Sequence, residues 1–95
     1  MHLDIGHANL WGKTGIARSI RYFGKKIAHV HISDNYGKKD DHIQLGKGTL
    51  DLNGTIKLLK SIGYDKTITF EIFTKRYASD QVKAKNKFKL LWARL

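Results

Sequence analysis

The most constraining feature of this sequence is an alternation. A short run of β-forming residues followed by a helical apolar stripe occurs three times within 95 residues. Leu3 to Ile5 reads as the end of a first strand, and Ile16, Ile20 and Phe23 then mark one face of a helix that ends near Gly24. Ile27 to Ser33 reads as a second strand, after which Leu52, Ile56, Leu59 and Ile62 share a helical face that Gly63 stops. Lys66 to Phe73, rich in β-branched and aromatic residues and preceded by the turn Gly63-Tyr64-Asp65, reads as a third strand. Ala84, Phe88, Leu91, Trp92 and Leu95 then recur at helical spacing on a terminal helix. Parallel strands need crossover helices, so three strand-then-helix units predict an α/β architecture with a parallel sheet.

The connections are uneven. Gly6 to Lys13 and Asp34 to Asn53 are polar and exceed the roughly 2–6 residues usual for βα loops, and long loops of this kind commonly carry function. No linker, proline or internal repeat beyond the βα period divides the chain, so residues 1–95 read as one domain. A chain that is 41% apolar and 27% charged is expected to bury a core, which excludes a disordered tail. No apolar run approaches the roughly 18 residues of a membrane span, and Met1-His2-Leu3-Asp4 lacks a signal peptide's layout, so a soluble, cytoplasmic protein with no membrane partner is expected. The net charge of +10 suits nucleic acid, a phosphorylated substrate or a solvated lysine surface. Lys83, Lys85, Lys87, Lys89 and Arg94 surround the apolar stripe of the terminal helix, which assigns them to its solvated face.

With no cysteine, any metal site has to be built from His, Asp and Glu. Such residues gather where the strands end: Asp4 and His7 after the first, His29 and His31 in the second, Glu71 in the third. In parallel α/β proteins that end is where sites assemble, and mixed imidazole and carboxylate ligands suit zinc, manganese or a related divalent ion. Asp40 and His42, spaced D-x-H in the second polar loop, are a further candidate pair. Each residue also has a plain structural role open to it, as a hydrogen-bonded strand histidine or as a cap or turn former.

The stretches Leu3-Asp4-Ile5-Gly6-His7-Ala8-Asn9, His29-Val30-His31-Ile32-Ser33-Asp34-Asn35, Asp40-Asp41-His42-Ile43-Gln44-Leu45-Gly46-Lys47-Gly48 and Phe70-Glu71-Ile72 resemble the xylose isomerase-like TIM-barrel superfamily. This group contains sugar and sugar-phosphate isomerases and epimerases, together with the endonuclease IV class of apurinic/apyrimidinic endonucleases. A full barrel takes roughly 250 residues and eight strands. The resemblance therefore implies a partial (β/α)8 barrel, the last three βα units, and a chain that is a fragment or one part of a split assembly. It further implies two open sheet edges and an exposed apolar inner face, to be covered by the missing barrel half or by self-association. Left uncovered, such a segment would be an inactive remnant.

The isomerase and epimerase pattern implies Asp4, His31 and Glu71 as ligands of one divalent ion, manganese or zinc, with Glu71 also the catalytic base and His7 contacting the sugar. The family's second acid–base glutamate has no counterpart in these units. Related ketose epimerases carry an arginine about six residues after the ligand histidine; here Tyr36-Gly37-Lys38 occupies that region, and Lys38 is the stand-in. The endonuclease IV pattern instead implies His7, Asp40 and His42 as additional zinc ligands and DNA as partner, although Lys47 stands where that pattern, like many of the isomerases, has glutamate. Trp11 is a candidate stacking contact for a sugar or base. Gly46-Lys47-Gly48 is either a phosphate cradle or a turn. Asp34 and Asn35 either orient His31 or cap their loop, and Asp51 and Asn53 are expected to cap the following helix.

Overall fold

The computed structural model describes residues 1–12 and 14–95. Three strands, β1 (His2–Asp4), β2 (His29–Ile32) and β3 (Thr67–Phe70), form one parallel sheet in the order β1-β2-β3. The helices are α1 (Ile5–Ala8), α2 (Gly15–Phe23), α3 (Leu52–Ser61) and α4 (Tyr77–Arg94), with 3-10 turns at Asn9–Trp11 and Gly24–Lys26. The result is a segment of an α/β barrel.

One face of the sheet carries Leu3, Val30, Ile32, Ile68 and Phe70 against the helices. Ile16 and Ile20 of α2, Leu52, Ile56 and Leu59 of α3, and Ala84 and Phe88 of α4 complete the core, with Phe23, Ile62, Leu91, Trp92 and Leu95 packed around it. These are the stripes the periodicity predicts. Lys83, Lys85, Lys89 and Arg94 are exposed, as expected of a solvated face, whereas Lys87 turns its ammonium onto the loop after β2 and donates to Leu45 O at 3.3 Å.

The opposite face departs from expectation. Strand alternation puts His2, Asp4, His29, His31, Thr67 and Thr69 there, so the inner face is polar and not the apolar surface anticipated. Aliphatic residues line one side of each strand, and the side turned from the helices has none to offer. The strands are also shorter than their β-forming runs. Glu71 lies one residue beyond β3, its N–H still bonding to Ile32 O at 2.9 Å. The next two amides leave the sheet, Ile72 N donating to Gln81 Oε1 at 3.0 Å and Phe73 N to His42 O at 2.9 Å.

The long loop after β2 is built around Asp34. This carboxylate is completely buried and accepts from four backbone amides: Asn35 (2.8 Å) and Leu50 (3.0 Å) at Oδ1, Gly46 (3.0 Å) and Gly48 (3.1 Å) at Oδ2. Gly46-Lys47-Gly48 is thus a turn whose glycine amides are already taken by an internal carboxylate and whose Lys47 amide donates to Gln44 O, not a phosphate cradle. Asp34 caps its own loop and makes no hydrogen bond to His31 among the described residues. Asn35, also buried, donates to Gly6 O at 2.7 Å and accepts from Asn9 at 2.8 Å, tying the loop to the first connection. Asp51 caps α3 through Gly54 N at 3.0 Å, whereas Asn53 lies inside that helix.

Gly48 packs so tightly that a Cβ there would run into Asn35 O and the Asp34 carboxylate. Both neighbours are buried and fixed, so Gly48→Ala is expected to cost about 1–3 kcal/mol as an overpacking change. A fall in the urea midpoint at unchanged slope checks it.

Candidate metal-binding site at the strand ends

The C-terminal ends of the three strands bring Asp4, His31 and Glu71 to one end of the sheet, whereas His29 opens β2 at the other. Asp4 pairs with His31 in the β1–β2 register, and Glu71 follows β3 on the other side of β2. His31 Nδ1 lies 2.9 Å from Glu71 Oε1, both side chains about a quarter exposed. The pair therefore has access to solvent and to a ligand. Asp4 Oδ1 accepts from His7 N at 2.9 Å, capping α1, which leaves its second oxygen available. Gly6 allows α1 to lie close to β2, because a Cβ there would meet the hydroxyl of Ser33. That hydroxyl is buried and has no hydrogen-bond partner among the described residues.

Asp40 and His42 come together, with His42 Nε2 3.2 Å from Asp40 Oδ2. His42 also holds the end of β3: its Nδ1 lies 3.1 Å from Glu71 O, its carbonyl accepts from Phe73 N, and its ring stacks on Phe73 at 4.5 Å between centroids. Both ring nitrogens are thus engaged within the chain. His42 adopts a left-handed backbone conformation (φ 54°), uncommon outside glycine, and these contacts on both sides of the residue hold it there. The D-x-H pair consequently braces Glu71 from its backbone side.

The residues expected to contact substrate are spread over the connections after β1 and β2. His7 is exposed on α1, and Lys38 is exposed on the loop after β2. Trp11 is 67% exposed and lines a groove on the flank of α2 with Gly15, Arg18, Ser19, Tyr22 and Phe23.

His2 is an addition to the candidate ligands His29 and His31 of the second strand. The three rings meet edge to face, with centroids 4.2–4.9 Å apart. One ligand atom from each lies within 4.8 Å of the others. His29 is further held by β3, its Nδ1 against Thr67 Oγ1 and its Nε2 2.9 Å from Thr69 Oγ1. Burial, reinforced by His31 and His2 and opposed by Glu71, lowers the pKa of His29 from its ordinary 6.5. The available signal was H-x-H in β2 and H-x-D in β1, which alternation puts on one face.

A family model described as a xylose isomerase-like TIM barrel matches residues 1–92. The chain belongs to this family. An uncharacterised protein of Methanocaldococcus jannaschii is 37% identical over 87 residues, covering 90% of this chain and 29% of the relative. An L-ribulose 3-epimerase of Methylomonas is 34% identical over 74 residues, covering 78% of this chain and 24% of the enzyme. A crystal structure of a D-tagatose 3-epimerase-like protein superimposes with a TM-score of 0.82 at 35% identity, covering 98% of this chain and 34% of that one. The chain thus spans about a quarter to a third of the length of these proteins. Among the described residues no helix is long and apolar enough to cross a membrane.

Proposed function

We propose that this chain forms the last three βα units of a metal-dependent sugar 3-epimerase, acting on a small ketose or its phosphate. The observation that carries the reading is the match, over 98% of the chain, to a D-tagatose 3-epimerase-like structure, by a segment that sets Asp4, His31 and Glu71 at adjoining strand ends. The donor set fits a divalent ion, manganese or zinc: two carboxylates and one imidazole from neighbouring strands, with His31 already oriented by Glu71. Such an ion polarises a carbonyl and its neighbouring hydroxyl, which makes the adjoining C–H more acidic.

The remaining work falls to side chains of this chain. Glu71 is the base that takes the C3 proton, and the His31 N–H at 2.9 Å holds its carboxylate in one orientation. His42 and Asp40 fix the Glu71 backbone, so the carboxylate moves only by side-chain rotation. His7 and Lys38 contact sugar oxygens, and Trp11 packs against the ring or chain of the sugar. Inversion at C3 needs a second acid–base group on the opposite face of the substrate. That group has to come from outside these three units.

The test is solvent exchange. Combined with the remaining strands of an epimerase barrel supplied as a separate chain, and incubated with L-ribulose or D-tagatose and manganese or zinc in deuterium oxide, the chain is expected to introduce deuterium at C3, read by proton NMR. Retention of the C3 proton with either ion overturns the reading. Nicking of abasic-site DNA in place of exchange would favour nuclease chemistry, to which the net charge of +10 is suited.

A further inference from the structure

We infer that His2, His29 and His31 form a metal position of their own on the open face of the sheet, one that takes a transition ion such as zinc, cobalt or nickel through imidazole nitrogen alone. It shares His31 with the Asp4–His31–Glu71 set but draws its other two ligands from residues that set does not use.

The position follows from the register. His2 lies opposite His29 across β1 and β2, and His31 is two residues further along β2 on the same face. No intervening side chain separates the three rings, and their ligand atoms fall within 4.8 Å of one another. Tetrahedral zinc, with Zn–N near 2.0–2.1 Å, sets its ligand nitrogens about 3.4 Å apart. Closing that gap takes side-chain rotation of roughly an ångström, and His2, exposed at the start of an edge strand, is free to supply it.

The surroundings prepare the rings. A ligating histidine ordinarily gives its other N–H to a carboxylate, carbonyl or hydroxyl, which fixes the tautomer and turns the lone pair outward. His31 has this arrangement, since Nδ1 facing Glu71 Oε1 at 2.9 Å carries the proton and leaves Nε2 as the donor. His29 has it twice over, because each ring nitrogen faces a threonine hydroxyl of β3, and a hydroxyl can donate or accept. Exchanging one hydroxyl for an ion leaves the other holding the ring. The charge of +10 opposes a cation, but the exposed lysines act through solvent, where screening sets in within about 8 Å at physiological salt. Imidazole ligands favour zinc, cobalt, nickel and copper, whereas the carboxylate-rich set suits manganese and magnesium. The two groupings therefore differ in the ion they prefer.

The experiment titrates the metal-free chain with cobalt(II), followed by its visible absorption, and with zinc, followed by the ring-nitrogen NMR shifts of all five histidines. One equivalent should bind, with the shifts moving at His2, His29 and His31 and not at His7 or His42. His2→Ala and His29→Gln should each weaken binding by about 10–100-fold or more, since altering even an outer-shell partner costs that much. Asp4→Asn keeps the cap on α1 and should leave cobalt affinity unchanged. Circular dichroism of each variant checks folding, and the wild-type shift pattern stands without any substitution. Absence of binding overturns the inference. So does binding that survives His2→Ala and His29→Gln but is lost in Asp4→Asn, a result that would assign the ion to the epimerase set and leave the proposed function intact.

Discussion

Asp34→Ala is expected to remove a third or more of the stability of this chain. Its carboxylate is the common acceptor for the amides of Asn35, Gly46, Gly48 and Leu50, and both Asn35 and Leu50 are buried. Truncation leaves at least those two donors without partner or water, at about 1–3 kcal/mol each. The amides of the half-exposed Gly48 and the exposed Gly46 can be rehydrated and add less. A loss of about 3–5 kcal/mol follows, against a total of about 5–14 kcal/mol for a chain of this size. Urea unfolding should show a midpoint reduced by a third or more, or no cooperative transition. Asp34→Asn, which keeps one acceptor oxygen, should recover part of the loss. An unchanged midpoint in Asp34→Ala would mean that other contacts hold the loop.

Glu71→Gln is expected to separate chemistry from structure. The amide oxygen can still accept from His31 Nδ1, and the backbone contacts to Ile32 and His42 do not involve the side chain. The fold should therefore survive. What is lost is a carboxylate able to accept a proton, and general-base removal typically costs about 10²–10⁴-fold in rate. The measurement is deuterium exchange at C3 of the ketose with manganese present, compared at matched metal occupancy. Exchange at the wild-type rate would take Glu71 out of the reaction.

What was legible in the sequence was what depends on local periodicity. The faces carrying Ile16 and Ile20 of α2, Ile56 and Leu59 of α3, and Ala84 and Phe88 of α4 are set by spacing alone, and the structure buries them. Asp51 capping α3 is equally local. The interior of the loop after β2 was legible only as a role open to Asp34, that of capping its loop, because its carboxylate accepts from amides 12 to 16 residues away and no window of sequence shows which amides those will be. The meeting of His2 with His29 and His31 was hidden for a related reason. Alternation puts each on the open face, but contact between them depends on strand register, which the sequence does not state. Asp40 and His42 were visible as a pair, while their grip on the backbone at Glu71 needed the end of β3 in view.

The polar inner face changes how this sheet can gain neighbours. A stave of aliphatic side chains would be drawn under a barrel by dehydration of its surface, whatever strand lay beside it. Here closure over His2, Asp4, His29, His31, Thr67 and Thr69 strips water from imidazole, carboxylate and hydroxyl groups and returns little for it. Recruitment of further strands must therefore be led by the unpaired main chain along the outer sides of β1 and β3, three and four residues long. Such short, directional edges select partners by alignment more than by greasiness, and they leave the enclosed space wet.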